Sequence, residues 1–249
     1  MPPARHPSQN PISRLTLFEV FSNNAEACSL AQELSRTFAA NRSEFLTGNA
    51  NSFLLWHFLN LQLTTSIFVV EDAAGRNGPE AAGLAVESLK VWTQSPIARR
   101  GFVHAAQTYL LMTRHRKSDG VMLHSEMAFF YASLVMGFYL LTAPVSDSPE
   151  RPPFDVLEDV DWDEIGEVGL CGGASPPTPG SASVFIQHGG SVCFHGAAYR
   201  DHYGAARRTF MNFAAQLEEV GKWNTEDYCT VLQTLSNTLP GHVGFVSRM

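Results

Sequence analysis

The residues that could hold a metal ion are concentrated in one stretch, SVFIQHGGSVCFHG, at positions 183–196. Its central Gly189-Gly190 predicts a two-residue turn, so we expect a small β-hairpin near 183–195. Side chains alternate between the two faces of a strand, and this register places three candidate zinc ligands on one face: His188, Cys193 and His195. Structural zinc sites usually draw on paired units such as Cys-x-x-Cys, and the sequence contains none. A hairpin with its phenylalanine face on the core is therefore favoured over a metal site.

Catalytic motifs are largely missing from the chain. It has no Gly-x-Ser-x-Gly, no Walker A loop, no Gly-x-Gly-x-x-Gly and no His-Glu-x-x-His. The tripeptide His188-Gly189-Gly190 is similar to the oxyanion loop of esterases, but no nucleophile elbow accompanies it. We therefore expect that the protein is not an enzyme.

A rival hypothesis is a small-molecule-binding protein, or an enzyme, with a pocket between the central helices. Its candidate lining residues are Trp56, His57, His104 and His124. Isolated histidines on largely apolar helices are more often hydrogen-bonded core residues. A deep apolar pocket with a few convergent polar groups would favour this hypothesis, whereas an exposed apolar patch would favour an interaction module.

The elements that would position these residues are mainly helices. Of 249 residues, 45% are hydrophobic and 16% are charged, which excludes a chain that is disordered throughout. Apolar residues at i, i+3 and i+4, and starts such as Ser95-Pro96, predict a mainly α fold, a bundle of about seven helices. From Ser52, the apolar stretch FLLWHFLNLQLTTSIFVVEDAA predicts one central helix.

Composition divides the chain into four parts. Residues 1–22 are expected to be a disordered tail, and residues 23–143 a helical regulatory domain. Residues 144–182 are an acidic, Pro/Gly-rich connector, because seven prolines and five glycines lie between 144 and 180. Residues 183–249 comprise the hairpin and C-terminal helices that pack on the same domain.

The charge of the chain disfavours a polyanion-binding role. The net charge is −7 and the pI is about 5.7, so we expect no direct nucleic-acid binding. The basic cluster Arg114, Arg116 and Lys117 ends a predicted helix, where the helix dipole favours cations without any partner. Arg99-Arg100 and Arg207-Arg208 lie near helix starts, where the dipole disfavours cations. We expect them to pair with acidic residues elsewhere in the fold.

The cysteines and the apolar segments bear on the compartment. Four widely spaced cysteines are too few for a disulfide framework and predict reduced thiols in the cytosol or nucleus. The first residues, MPPARHPSQNP, contain no apolar core of a secretory signal. The apolar run from Met127 to Ala143 is shorter than the roughly 20 residues that span a bilayer, so we expect a buried core helix and no membrane partner.

The segment Asp155 to Leu170, DVLEDVDWDEIGEVGL, mixes acidic and large apolar residues. Positions 147–167 hold nine acidic residues against one basic residue, which concentrates the negative charge of the chain there. Such a composition is typical of activation segments that stay disordered until a partner binds, which makes Trp162 a candidate interaction residue. The alternative is that Trp162 anchors the segment on the helical core, since burying a tryptophan contributes enough to hold a short loop. We favour the anchor.

An ordered set of short matches resembles the fungal-specific transcription factor domain, the helical "middle homology" region of many fungal regulators. The matches are Trp56-His57 in a central helix, Glu71 to Gly78 closing it, Ser95 to Arg100 starting the next helix, Ser118-Asp-Gly120 before the long helix, and Val160-Asp-Trp-Asp-Glu-Ile-Gly166. The stretch Leu217 to Val231 also resembles the last part of such regulators. The resemblance covers roughly residues 50–235.

This resemblance implies a regulatory and interaction domain that acts in the nucleus, or in nucleus and cytoplasm, through protein partners or self-association. It also leaves room for a small-molecule effector. In the family, zinc and specific DNA contacts belong to an N-terminal finger or six-cysteine cluster, and this chain contains neither, so we expect no cofactor here. A chain without that module is a fragment, a shortened gene product or a paralogue that lost it.

Overall fold

The fold is an all-α bundle with one small sheet, confirming the predicted fold class. The computed structural model describes residues 25–47, 50–114, 120–144, 153–170, 181–194, 197–198 and 201–239. In these ranges the helices are α1 (Ala25–Ala40), α2 (Arg42–Thr47), α3 (Ala50–Thr64), α4 (Ile67–Ala73), α5 (Pro79–Trp92), α6 (Pro96–Arg114), α7 (Leu123–Thr142), α8 (Trp162–Ile165), α9 (Ser181–His188), α10 (His202–Val220) and α11 (Thr225–Thr238). The strands are β1 (Phe154–Asp155), β2 (Val192–Phe194) and β3 (Ala197–Ala198).

Helix α7 forms the centre of the bundle. It packs against α3, α6 and α10, and α10 packs in turn against α11. By length and composition α7 could cross a membrane, but 78% of its most apolar window is buried inside the protein. At its middle, a Cβ on Gly137 would lie 2.3 Å from the ring of Phe210, so only glycine allows α10 to approach this closely. The predicted core helix near 127–143 is therefore confirmed.

A buried carboxylate joins the start of α7 to the connection between α10 and α11. Glu126 is fully buried and accepts backbone N–H groups of Lys222, Trp223 and Asn224. Three N–H donors replace the water that a buried carboxylate loses, which makes its burial tolerable. These three hydrogen bonds fix the conformation of the turn that precedes α11.

The predicted central helix from Ser52 is wrong in one respect, because it is two helices. Helices α3 and α4 meet at 82° across Thr65 and Ser66. Trp92 Nε1, on α5, donates to the carbonyl oxygen of Thr64 at 3.0 Å. This bond pairs a carbonyl at the C-terminus of α3 that would otherwise lack a partner within the helix. The Thr64 hydroxyl also bonds back to Asn60 O at 2.8 Å. The tertiary contact from Trp92 and the local bond of Thr64 together end a helix that apolar composition alone would continue.

The predicted hairpin near 183–195 is not formed, since residues 181–188 are helix α9. Arg99 from α6 donates to the carbonyls of Ile186 and Gln187, which caps the end of α9. Gly189 and Gly190 have positive φ and lead into β2, which pairs in parallel with β1 and antiparallel with β3. Gly189 and Gly190 therefore connect a helix to a strand, and the predicted two-residue hairpin turn between paired strands is wrong.

Candidate functional site

The centre of the molecule contains a pair of buried histidines. His57 on α3 and His104 on α6 place their Nδ1 atoms 3.0 Å apart, and their exposed fractions are 1% and 0%. Two neutral rings can make this bond only if one Nδ1 donates and the other accepts, so the rings hold opposite tautomers. Their Nε2 atoms are buried and have no hydrogen-bond partner among the described residues.

Tryptophan rings enclose this pair. Trp162, on the short helix α8, stacks on His104 with ring centroids 3.9 Å apart and planes 14° apart. Trp56 lies edge-on to Trp162 at 5.3 Å and to His104 at 5.1 Å. The guanidinium of Arg100 lies over the face of the Trp162 ring, 5.5 Å from its centroid, in a cation–π contact. We call Trp56, His57, Arg100, His104 and Trp162 the tryptophan–histidine cluster.

Burial controls the ionisation of the cluster. It lowers the pKa of His57 to about 3 because the charged ring would lack water. The pKa of His104 is also well below its usual value, through burial first and then through the positive charges of His57 and Arg100. Burial lowers the pKa of Arg100 to about 9, with Glu167 acting in the opposite direction. At neutral pH the histidines are uncharged and Arg100 is a cation.

Arg100 connects the cluster to the acidic segment. Its Nη1 donates to the carbonyl oxygens of Gly166 and Val168 at 2.8 and 2.7 Å, and its Nη2 donates to the Ser35 hydroxyl. The sequence predicted acidic side chains as the partners of Arg99 and Arg100. Both guanidinium groups instead donate mainly to backbone carbonyl oxygens. Their position near a helix start correctly predicted that each arginine needs a partner. Charge alone could not predict that the partner would be a backbone carbonyl rather than a carboxylate.

The predicted anchor at Trp162 is confirmed, because that side chain is only 4% exposed. Asp161 caps α8 by accepting Asp163 N, and Gln107 on α6 donates to Glu158 O at 2.7 Å. Other apolar side chains of the segment are also buried in the core: Phe154, Val156, Ile165, Val168 and Leu170. A protein partner could not bury Trp162 in its own interface unless the segment left the core. With Trp162 as the anchor, the sequence predicts that residues 149–153 and 171–180 are mobile; apart from Pro153, these stretches lie outside the described residues.

The acidic side chains of this segment meet arginines at the surface. Asp159 accepts two hydrogen bonds from Arg114, at 2.7 and 3.0 Å. Arg42 pairs with Asp161 and Asp163, each at 2.8 Å. Arg114 therefore has an intramolecular partner in Asp159, which the explanation by the helix dipole alone did not predict. Arg116 and Lys117 lie outside the described residues.

Of the four residues expected to line a central pocket, three meet and one does not. Trp56, His57 and His104 belong to the cluster, whereas the His124 ring contacts the carbonyl oxygen of Asn51 at 3.2 Å. Neither cluster histidine lines any of three clefts at the surface of the described residues. Trp162 separates His104 from the nearest cleft.

Two clefts of similar size open among the described residues. The first, of about 420 Å³, lies between α2, α3, α6 and residues 159–162. Its walls include Phe38, Phe45, Phe53 and Trp162, and we call it the aromatic cleft. The second, of about 430 Å³, lies between α4 and α5 beside Phe68 and Leu84.

The three candidate zinc ligands are not brought together by a hairpin. His188 is exposed at the end of α9, while Cys193 is buried in β2, where it pairs with Asp155 of β1. His195 lies outside the described residues. Across the described ranges, no three His, Cys, Asp or Glu side chains are grouped so that they could hold a metal ion.

The expectation of four reduced cysteines is wrong for Cys28. Cys28 on α1 is disulfide-bonded, whereas Cys193 and Cys229 are thiols. The remaining cysteine of the sequence is Cys171, which lies outside the described residues. Wide spacing in sequence did not predict this bond because distance along the chain says little about distance in a fold.

Comparison with known proteins finds no match: no family model, no curated protein and no solved structure corresponds to the chain. The similarity to the fungal-specific transcription factor domain therefore rests on the residues quoted above.

Proposed function

We propose that this chain is the regulatory and interaction domain of a fungal transcription regulator and that it acts without catalysis. One observation carries the proposal. The residues that resemble the family come from separate stretches, yet four of them meet in the tryptophan–histidine cluster: Trp56, His57, Arg100 and Trp162. Because the side chains of this cluster are buried, they hold the helices together and do not form a site where a substrate could react.

The positions of the other matches support the same interpretation. Ser95 accepts Ala98 N at 3.2 Å and begins α6, and the stretch from Glu71 to Gly78 contains the turn between α4 and α5. The match at 160–166 is the capped helix α8. Each of these three matches thus starts, separates or contains an element, which is the behaviour expected of a fold signature.

Regulation by a domain without its own DNA-binding module would act through protein contacts in the nucleus. Large apolar side chains that are exposed offer such contacts: Phe68 at 70%, Val91 at 64% and Trp223 at 63%. Aromatic residues of this kind often dominate the energy of protein interfaces. Protein partners or self-association are therefore part of the proposal.

Catalysis is disfavoured by the same geometry. A general acid or base must reach its substrate within hydrogen-bond distance, and both cluster histidines are enclosed by Trp56 and Trp162. Their depressed pKa values follow from burial without any functional tuning.

A tethering experiment tests the proposal. The chain is fused behind a heterologous DNA-binding module in a fungal reporter strain, and reporter output is compared with that of the module alone. We expect a several-fold change with the intact chain, loss of that change in Trp162→Asp, and retention in the exposed control Leu30→Ser. Output equal to that of the module alone, or equal in all variants, would contradict the proposal.

A further inference from the structure

We propose that the aromatic cleft binds a small aromatic carboxylic acid. This inference is independent of the proposed regulatory role, because it concerns the chemistry of the cleft alone. The cleft holds about 420 Å³, within the 300–1,000 Å³ typical of small-molecule pockets.

Aromatic rings form the apolar part of the cleft. Phe38 and Phe53 stack with centroids 5.6 Å apart, and Phe45 lies 5.5 Å from Phe38 and 6.0 Å from Phe53. Trp162 and Leu111 complete this part of the wall. Flat rings pack well on such surfaces through offset or edge contacts, so the walls favour a planar aromatic ligand over a branched or sugar-like one.

The rim supplies the acid-binding group. Arg114 already holds a carboxylate, that of Asp159, through two parallel hydrogen bonds. Both side chains are largely exposed, and exposed pairs of this kind contribute only about 0–1 kcal/mol. A ligand carboxylate can therefore replace Asp159 at the same guanidinium, while Asp159 turns into water.

The second arginine of the rim is less accessible to a ligand. Arg42 pairs with Asp161 and Asp163 at once, so its charge is shared between two carboxylates. Gln107, also in the lining, is engaged by Glu158 O and Val160 N. Arg114 is consequently the group that selects an anion, and the second cleft, between α4 and α5, lacks this combination of several aromatic rings with an exchangeable Arg–Asp pair.

The probe is sodium 2-naphthoate, titrated into the intact chain by calorimetry, with 2-naphthalenemethanol as its neutral counterpart. We expect saturable binding of one naphthoate per chain. Arg114→Gln should weaken naphthoate binding about two- to fivefold, and Asp159→Asn should strengthen it by a similar factor, since the first removes the donor and the second frees it. Neither change should alter binding of the neutral alcohol.

Filling variants locate the site. Leu111→Trp places a ring in the aromatic cleft and should abolish binding, whereas Leu84→Trp fills the other cleft and should leave it unchanged. The proposal is overturned by no saturable binding up to about 1 mM, by binding that is lost only in Leu84→Trp, or by equal responses of acid and alcohol to Arg114→Gln. Arg114 is exposed, so this last variant stays informative even where Leu111→Trp fails to fold.

Discussion

At the scale of single residues, the molecule is distinguished by ionisable groups held in its interior. His57 and His104 bond to each other, and Arg100 reaches backbone carbonyls beneath Trp162. Buried polar groups of this kind contribute specificity when they are paired, and they become costly when they are charged or lose their partners. The histidine pair should therefore respond to pH.

We predict that acid destabilises the protein through this pair. The folded pKa of His57 lies near 3, whereas the pKa of a histidine exposed to water is about 6.5, so below pH 6.5 the unfolded chain binds protons that the folded chain does not. The free energy of unfolding should be insensitive to these histidines above pH 6.5. For His57 it should fall by about 1.5–2 kcal/mol between pH 6.5 and about pH 5, and the lowered pKa of His104 should add a loss in the same direction.

Urea unfolding over this pH range measures the effect. His57→Asn should reduce the acid-dependent loss, while the exposed control His188→Asn should leave it unchanged. An unaltered pH dependence in His57→Asn would show that the pair remains accessible to protons in the folded state.

Part of this cluster could be predicted from the sequence and part could not. Apolar periodicity placed His57 and His104 on buried helices, and the free energy gained by burying a tryptophan favoured an anchored Trp162 over a disordered segment. The meeting of His57 with His104 depends on how α3 crosses α6, which no local pattern encodes. His124, of the same type and on an equally apolar helix, contacts backbone instead.

At the scale of elements, helix boundaries were predicted well where a local signal sets them and poorly where a distant residue does. Ser95 begins α6 by a contact three residues away. By contrast, α3 ends where Trp92 Nε1 donates to Thr64 O, and α9 ends where the Arg99 guanidinium donates to Ile186 O. Propensity is a weak prior that such tertiary contacts override.

Close packing of elements gives a second prediction, with a matched pair of glycines. Gly137→Ala would bring a Cβ to 2.3 Å from Phe210, between α7 and α10, and should destabilise the protein by about 1–3 kcal/mol. Gly83→Ala, in the exposed part of α5, has nothing within 4 Å and should stabilise by about 0.5–1 kcal/mol. Chemical denaturation midpoints compare the two, and effects of the same sign would contradict the packing described.

At the scale of the whole molecule, the acidic segment is part of the domain rather than a spacer within it. Residues 153–170 contribute buried side chains to the common core, and Arg36, Arg42 and Arg114 neutralise carboxylates of the same segment. Most of the net charge of −7 therefore comes from a segment whose carboxylates pair with arginines of the surrounding helices.

Covalent linkage is the third prediction. Cys28 is disulfide-bonded, Cys193 and Cys229 are thiols, and the sequence has four cysteines, so we predict a bond between Cys28 and Cys171. Peptide mapping without reductant should recover a Cys28–Cys171 peptide, and reduction should lower stability by up to about 4–5 kcal/mol, as expected for a loop of more than 100 residues. Recovery of Cys28 as an alkylated free thiol would contradict this pairing.

Metal and DNA binding give the fourth prediction. The chain lacks Cys-x-x-Cys units and carries net negative charge, so the purified protein should bind neither stoichiometric zinc nor a specific DNA sequence. Elemental analysis and a DNA-binding selection measure both. About one zinc per chain, lost on replacing Cys193 or His195, would instead establish a metal site there.

The central claim is that Trp162 holds the acidic segment on the tryptophan–histidine cluster, and the fluorescence of Trp162 tests it most directly. The difference spectrum between the intact chain and Trp162→Phe isolates this indole from Trp56, Trp92 and Trp223. With 4% of its surface exposed, Trp162 should emit at blue-shifted wavelengths and resist quenching by acrylamide. A difference spectrum like that of free indole in water, fully quenchable, would show the segment to be detached and would contradict the account.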